Sequence, residues 1–361
     1  MPSPFPFFSM DRRSSRRVRS RLTAGPLGLC AEALEDKTLL TVYTVNTTLD
    51  EPANGAGVTD GLISLREAIN AANSNAAFGD APAGSGVGTD VINFAPTLNN
   101  SVITLGGDQL IISGDLSIVG PGANRLKIDA NHQSRIFQIN SGVTASISGL
   151  TITNGNLNGA GEGDYGGGVI NFGTLTLDYV LVSDNTSVGL GGGIANAPGA
   201  TLTVINSTVS GNTAPGGSGG GIANYGTAKV INSTISGNQS GDYGGGLSNY
   251  NNGTLQIINS TITGNQASNT TAVGTLGGGI SVGNGTVSLY NTIVAGNTSG
   301  TGMAVHDILG TVFSGSQHNL IGDANSSGGL TDDSDFPNNI VGVNGSGTRD
   351  INTILNTTLQ N

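Results

Sequence analysis

A Gly-Gly-Gly triplet that returns five times constrains this chain more than any other feature. The triplets begin at Gly166, Gly191, Gly219, Gly244 and Gly277, and each is followed by an aliphatic residue: Val169, Ile194, Ile222, Leu247 and Ile280. Behind each triplet lies a twelve-residue block. It is clearest as TLTVINSTVSGN (Thr201 to Asn212), TAKVINSTISGN (Thr227 to Asn238) and TLQIINSTITGN (Thr254 to Asn265). Looser copies run from Thr174 to Asn185 and from Thr286 to Asn297. In all five the opening Thr and closing Asn are eleven positions apart, and the length variation falls outside the block. Triplets spaced by 25 to 33 residues, with a rigid block and elastic joints, define a solenoid.

The pattern inside the block selects the solenoid. Positions two and four are apolar (Leu175 and Leu177, Leu202 and Val204, Ala228 and Val230, Leu255 and Ile257, Val287 and Leu289). Position nine is always Val or Ile, and position three is mostly polar. Period-two alternation in short β-branched runs, broken by Asn and Gly, predicts strands. Helical repeats would not bear this glycine density, because each interior Gly costs about 1 kcal/mol. The expected fold is therefore all-β: a single-stranded right-handed parallel β-helix solenoid, with three short strands per repeat. Coils would stack about 4.8 Å apart.

Three asparagine columns fit that stacking. Asn206, Asn232, Asn259 and Asn291 share position six, and Asn185, Asn212, Asn238, Asn265 and Asn297 share position twelve. Asn171, Asn196, Asn224 and Asn249 follow the triplets. Equivalent amides one coil apart can form ladders along the axis, and Asn tolerates the left-handed backbone of tight corners. The sequon-like Asn-Ser-Thr triplets are better explained by the repeat than by glycosylation.

Charge divides the 361 residues unevenly. Residues 1–40 hold seven Lys/Arg and four acids, about +3; the remaining six basic and 20 acidic residues give about −14. An acidic body almost free of lysine is a poor partner for nucleic acid or an anionic membrane. The single cysteine, Cys30, excludes a disulfide framework. No stretch reads as a transmembrane helix.

Taken in order, residues 1–40 read as a basic export or leader segment, with six arginines from Arg12 to Arg21. The segment LEDKTLLT (Leu34 to Thr41) resembles the LEDRTLLS-type export segment of planctomycete-type envelope and exported proteins, with Lys37 where Arg is usual. Residues 41–89 read as an N-terminal cap, with a strand at Thr41 to Val45 and a helix at 64–73. Ser64 and Glu67 there form a capping box, and Leu65, Ala68, Ile69 and Ala72 form one apolar face. Arg66 and Glu67 read as surface or cap-locking residues, with a catalytic pair as the lesser alternative. Such a helix would cover the open end of the first coil. TDGLISLREAINAAN (Thr59 to Asn73) resembles the CSLREA N-terminal domain, with Ile63 at the Cys position. Residues 90–165 read as irregular first coils, 166–297 as the regular β-helix repeats and 298–361 as irregular C-terminal coils. The Gly-triplet repeats are similar to those of polymorphic outer-membrane proteins. NTIVAGNT (Asn291 to Thr298), His306-Asp307 and HNLIGD (His318 to Asp323) resemble the choice-of-anchor Q region of bacterial surface proteins. In that family the text continues beyond a segment like INTILNTTLQN, so a truncated C-terminus is expected.

The pectin-lyase-like superfamily that this fold implies includes polysaccharide lyases and glycosidases, so acids and bases were weighed. The acids of the regular coils are Glu162, Asp164, Asp178, Asp184 and Asp242, and the one base is Lys229. Asp164 and Asp242 lie three coils apart, about 14 Å, too far for a shared ion or a glycosidase pair. His306, Asp307 and His318 are weak metal candidates. Asp332, Asp333 and Asp335 are weak Ca²⁺ candidates, in a run that lacks the remainder of an EF-hand loop. No other cofactor is expected. The expectation is a non-catalytic exported protein of the bacterial surface or extracellular space, used for adhesion, binding or scaffolding. Its expected partner is an extracellular polysaccharide or another surface protein. The alternative is a carbohydrate-active enzyme of the same superfamily.

Overall fold

The computed structural model describes residues 40–50, 57–157, 164–268, 276–300, 304–331 and 339–342. The twelve-residue block folds as two strands joined at a corner. In one regular coil these are Thr201–Ile205 and Thr208–Ser210, and Asn206 between them is left-handed at φ +50°. Alternation sends Leu202, Val204 and Val209 inward, where all are fully buried, and leaves Thr201 exposed. The residues after the triplet, Ile194–Asn196, form a further strand.

A fourth strand, which the sequence does not predict, follows the closing Asn: Thr213–Ala214. Two residues are too few for alternation to register. Its carbonyls pack straight onto the triplet, and a Cβ on Gly192 would lie 2.4 Å from the Thr213 oxygen.

Among the described residues the coils stack into four sheets, numbered here in coil order from the triplet and with their strands counted there. Sheet 1 has eight strands, from Leu110–Ile112 to Ile308–Leu309, and sheet 2 has nine, from Val42–Val45 to Thr286–Tyr290. Sheet 3 has ten, from Ser101–Thr104 to Ile340–Val341. Sheet 4 has seven two-residue strands, of which Ala304–Val305 alone pairs antiparallel. The result is a parallel β-solenoid of about eight turns. Thr174, Thr201, Thr227, Thr254 and Thr286 pair one above another, so insertions are extruded outside the block.

Each glycine of the triplet has its own reason. The first is left-handed, with φ from +58° to +71°. The third faces the position-twelve ladder: a Cβ on Gly193 would lie 2.9 Å from the Asn212 side chain, and one on Gly279 would lie 2.8 Å from the Asn297 amide. The third glycine and the closing asparagine are thus a matched pair.

That ladder is buried and continuous. The Nδ2 atoms of Asn185, Asn212 and Asn238 each donate to the Oδ1 of the next asparagine at 2.9 Å, ending on Asn265, which donates to Asn297. Asn171, Asn196, Asn224 and Asn249 form a second buried ladder, at 2.8, 2.8 and 2.7 Å. The position-six column differs. Its members lie at the left-handed corner, and the bonds within the column, Asn232 to Asn206 (3.3 Å) and Asn291 to Asn259 (3.1 Å), are in exposed settings. Position seven adds a hydroxyl ladder, in which Ser207, Ser233 and Ser260 accept backbone N–H groups from the coil before.

Helix α1 spans Leu65–Ser74, one residue later than the sequence suggests, with Ser64 as its N-cap and Asn75 left-handed at its C-cap. Both bonds of the capping box form. The helix packs on Val42–Val45, Asp90–Phe94 and Leu110–Ile112. Arg66 is not a surface residue. It holds Asp50 through two bonds, at 2.7 and 2.8 Å, and donates to the carbonyls of Asp108 and Gln109, which ties the helix to the first coil.

Before the regular repeats, the stretch from Ala145 to Thr153 is two strands, Thr144–Ser148 and Thr151–Thr153, turned at Gly149 (φ +60°). After them, Asn319 and Asn339 add a short amide ladder at 2.8 Å.

Candidate functional site

Sheet 1 carries the chain's most distinctive outer face. Its middle residues, Ile170, Ala195, Ala223, Ser248 and Ser281, point outward in register. All five are nevertheless at most 6% exposed, because a second layer covers them. Two side-chain columns make that layer. One precedes the triplets: Tyr165, Leu190, Ser218, Tyr243 and Leu276, each a coil apart by backbone pairing. The other follows the ladder asparagines as Phe172, Ala197, Tyr225 and Tyr250, and continues in the next coil as Gly283 behind Val282.

Side-chain size along these columns shapes the surface. Ala197, between Phe172 and Tyr225, leaves a cavity of about 280 Å³ walled by Tyr165, Phe172, Leu190, Pro198 and Tyr225 and floored by Ile170 and Ala195. Higher up, the rings close. Tyr225 and Tyr250 stack with centroids 6.4 Å apart at 29°, and Tyr243 meets Tyr250 at 6.4 Å and 60°. The Tyr250 ring lies where a Cβ on Gly283 would stand, 2.2 Å from its Cδ1. The Tyr250 hydroxyl and Ser281 Oγ share a 3.0 Å hydrogen bond. Burial pushes the Tyr225 phenol up to about 12, aided by Tyr250, Tyr165 and Asp242. Burial also raises Tyr250, and Asp242 and Tyr243 add to this against the Ser281 bond. Both stay neutral at any physiological pH, as donors and acceptors rather than phenolates.

A polar chain closes the foot of this face. Gln138 stands in register below Ile170 and takes a 2.9 Å bond from Gln109, and its own amide donates to Asn140. Arg135 is 7% exposed, donating from Nε to the carbonyls of Tyr165 and Gly166 and from Nη1 to Gln109. Burial lowers its pKa to about 10, while nearby Asp164 opposes the shift.

The other residues singled out from the sequence lie elsewhere. Asp332, Asp333, Asp335 and Glu162 fall outside the described residues. Asp178 accepts from Asn206, and Asp184 is a left-handed corner residue at φ +57°. Lys229 is on the outer face of sheet 2. His318, at φ +60°, continues the position-six corner above Asn291. His306 Nδ1 accepts the Gly277 N–H. Asp307 stands in the third-glycine position of the last sheet-1 coil, and its Oδ1 accepts both Asn297 N and Nδ2, ending the long ladder. Among the described residues, no three His, Cys, Asp or Glu side chains gather in a way that could hold a metal ion. Nor is any described helix long and apolar enough to cross a membrane.

The groove residues Phe172, Leu190, Ala197, Tyr225 and Tyr250 are not apparent as a group from the sequence. The signal was the residue after each ladder asparagine: Asn-Phe, Asn-Ala, Asn-Tyr and Asn-Tyr are one column. No family model, no curated protein and no solved structure matches this chain. The fold itself is compatible with an enzyme or a non-enzyme.

Proposed function

We propose that the chain is a non-catalytic, exported binding scaffold, and that the outer face of sheet 1 holds a linear neutral polysaccharide lying along the solenoid axis. The observation that carries this reading is the aromatic layer. Tyr165 and Phe172 on one coil and Tyr225 two coils above wall the cavity left by Ala197, and Tyr250 extends the layer one coil further by stacking on Tyr225. Apolar faces of pyranose rings stack on aromatic rings, and neutral phenol hydroxyls bond sugar hydroxyls, as in ligand sites generally: an apolar wall with a few placed polar groups. A rigid stacked backbone presents such rings with little ordering cost on binding.

Export rests on the basic leader and the LEDKTLLT segment, and attachment at a bacterial surface rests on the resemblance of residues 291–323 to anchor-bearing proteins. A carbohydrate-active enzyme is the second reading. Arg135 beside Asp164 at the foot of the groove favours it, but the bonds from Arg135 to two carbonyls suit a structural clamp better than proton abstraction.

The test is retention of the full chain on cellulose, chitin, xylan and polygalacturonate, with and without Ca²⁺, scored together with release of new reducing ends. Retention on a neutral polymer, weakened at least tenfold by Tyr225→Ala, is expected. New reducing ends would overturn the non-catalytic reading, and absence of retention on every polymer would overturn the ligand.

A further inference from the structure

From Gly149 upward, the corner between sheets 2 and 3 turns on a single left-handed residue in each coil. The column reads Gly149, Tyr179, Asn206, Asn232, Asn259, Asn291 and His318, all with φ between +49° and +60°. Glycine and asparagine suit that backbone; a bulky side chain does not. Tyr179, at φ +53°, is the one phenol among them, and within the regular coils the one ring. Packing does not compensate, because Tyr179 is 64% exposed. A strained residue that the fold does not require points to a function.

What Tyr179 overlooks is a recess of about 550 Å³, lined by Gly122, Asn124, Tyr179, Leu181, Asn206 and Thr208 among others. Its lower wall is the turn through Gly122 (φ +135°), which packs on Gly149 one coil below Tyr179: a Cβ on Gly149 would lie 2.6 Å from the Gly120 oxygen. Its lining residues carry no charge. The exposed Asn124 amide and the half-buried Thr208 hydroxyl offer donors and acceptors beside an aromatic face and the apolar Leu181.

We infer that this corner is a second carbohydrate site, in which a neutral pyranose ring stacks on Tyr179 and bonds Asn124 and Thr208. Aromatic face, uncharged amide and hydroxyl in one open recess are the chemistry that recognises a sugar ring. The site lies on a different face from the sheet 1 groove and stands on a different observation. With both sites occupied, one molecule would join two polysaccharide strands, raising avidity without any new contact.

The experiment uses full-length protein labelled with 3-fluorotyrosine, which gives at most seven fluorine resonances. Tyr179→Asn identifies the Tyr179 signal. That variant restores the column's preferred residue, so its melting midpoint should equal or exceed that of the parent. Hexamers of β-1,4-linked glucose and of N-acetylglucosamine are titrated into the Tyr225→Ala variant, whose groove is weakened. The expected result is a saturable shift of the Tyr179 resonance, with a dissociation constant raised at least fivefold by Thr208→Val. A Tyr179 signal that stays fixed while the groove tyrosines of the parent shift would overturn this site and leave the groove reading standing. If no tyrosine signal moves with either hexamer, both fall.

Discussion

Asn238 sits in the middle of the long amide ladder, and Asn238→Ala tests what holds the coils in register. The asparagine side chain makes four hydrogen bonds. Its Nδ2 donates to Asn265 Oδ1 and to Val209 O, both at 2.9 Å, and its Oδ1 accepts Asn212 N at 3.0 Å and Asn212 Nδ2 at 2.9 Å. Truncation removes all four and leaves the Asn212 N–H buried without that acceptor. Four net bonds at about 1 kcal/mol each, plus about 1–2 kcal/mol for the stranded backbone donor, give a loss of about 5–6 kcal/mol. That is comparable to the whole stability of many domains. The control is Asn232→Ala, six residues earlier on the exposed corner. It removes one 3.3 Å bond and places Ala at φ +49°, a cost of about 1–2 kcal/mol.

In a solenoid each coil leans only on its neighbours, so the damage should be local first. Urea unfolding gives the totals, and hydrogen exchange followed peptide by peptide gives the location. Protection should fall most across 201–265 in the Asn238 variant. If the two variants differ by less than about 1 kcal/mol, the buried ladder is not what fixes the coils, and the argument from it fails.

Gly221→Ala should cost several kcal/mol, because the new Cβ would lie 2.6 Å from the Gly246 carbonyl and 3.1 Å from the Asn238 amide; thermal melting checks it. Arg66→Ala should cost about 3–5 kcal/mol by stranding the buried Asp50 carboxylate, read as early loss of exchange protection in α1 and the first coil. Burial lifts the Asp307 carboxyl from 3.8 to about 6, so its ionised form is disfavoured on folding. Its folded pKa lies above the unfolded one. The resulting penalty of about 3 kcal/mol is therefore fully present above pH 6 and gone below about pH 4, and the last coils should gain stability as pH falls through that window. Exchange corrected for intrinsic rates checks it, and Asp307→Asn should flatten the dependence. Ala197→Phe should fill the groove cavity, leave the melting midpoint within about 2 °C on the scale of surface changes, and reduce glycan retention severalfold.

The sequence shows the solenoid because the solenoid repeats. Leu202, Val204 and Val209 alternate with polar residues inside a block of constant length, and a stacked coil has no freedom to move them. The buried ladders were visible for the same reason. Less legible was anything whose meaning depends on register after the rhythm stops. Asp307 reads as half of a His-Asp pair until the pairing of Ile280 with Ile308 places it in the third-glycine column, with its carboxylate where the next asparagine amide would be. Arg66 reads equally as a surface or a cap-locking residue, because nothing in its own helix reveals Asp50, sixteen positions earlier and folded back beside it; the structure makes it the lock. The groove residues escaped because, although they stand at constant offsets from the triplets, their columns mix aromatic, aliphatic and small side chains and show no alternation. The backbone bonds from Tyr225 to Asn196 and from Tyr250 to Asn224 show that they share a column, and the packed rings show that the two columns form one layer.

That difference has a physical origin with consequences for where function can be written. An inward residue must match the core, the ladder or the glycine it faces, and a change there disturbs three coils at once. The columns beside the triplets and the corner at position six face outward, so their side chains answer to little beyond local backbone preference. Within those columns the chain departs from its own average: aromatic rings at Phe172, Tyr225 and Tyr250, a gap at Ala197 between two of them, and Tyr179 where its neighbours above carry asparagine. The gap makes the cavity, and the misplaced ring borders the corner recess. A repeat that holds everything else constant makes such departures the most informative residues in the chain. Restoring the average at each of them, Tyr179 to Asn or Ala197 to a larger side chain, should leave the solenoid standing and remove what it binds.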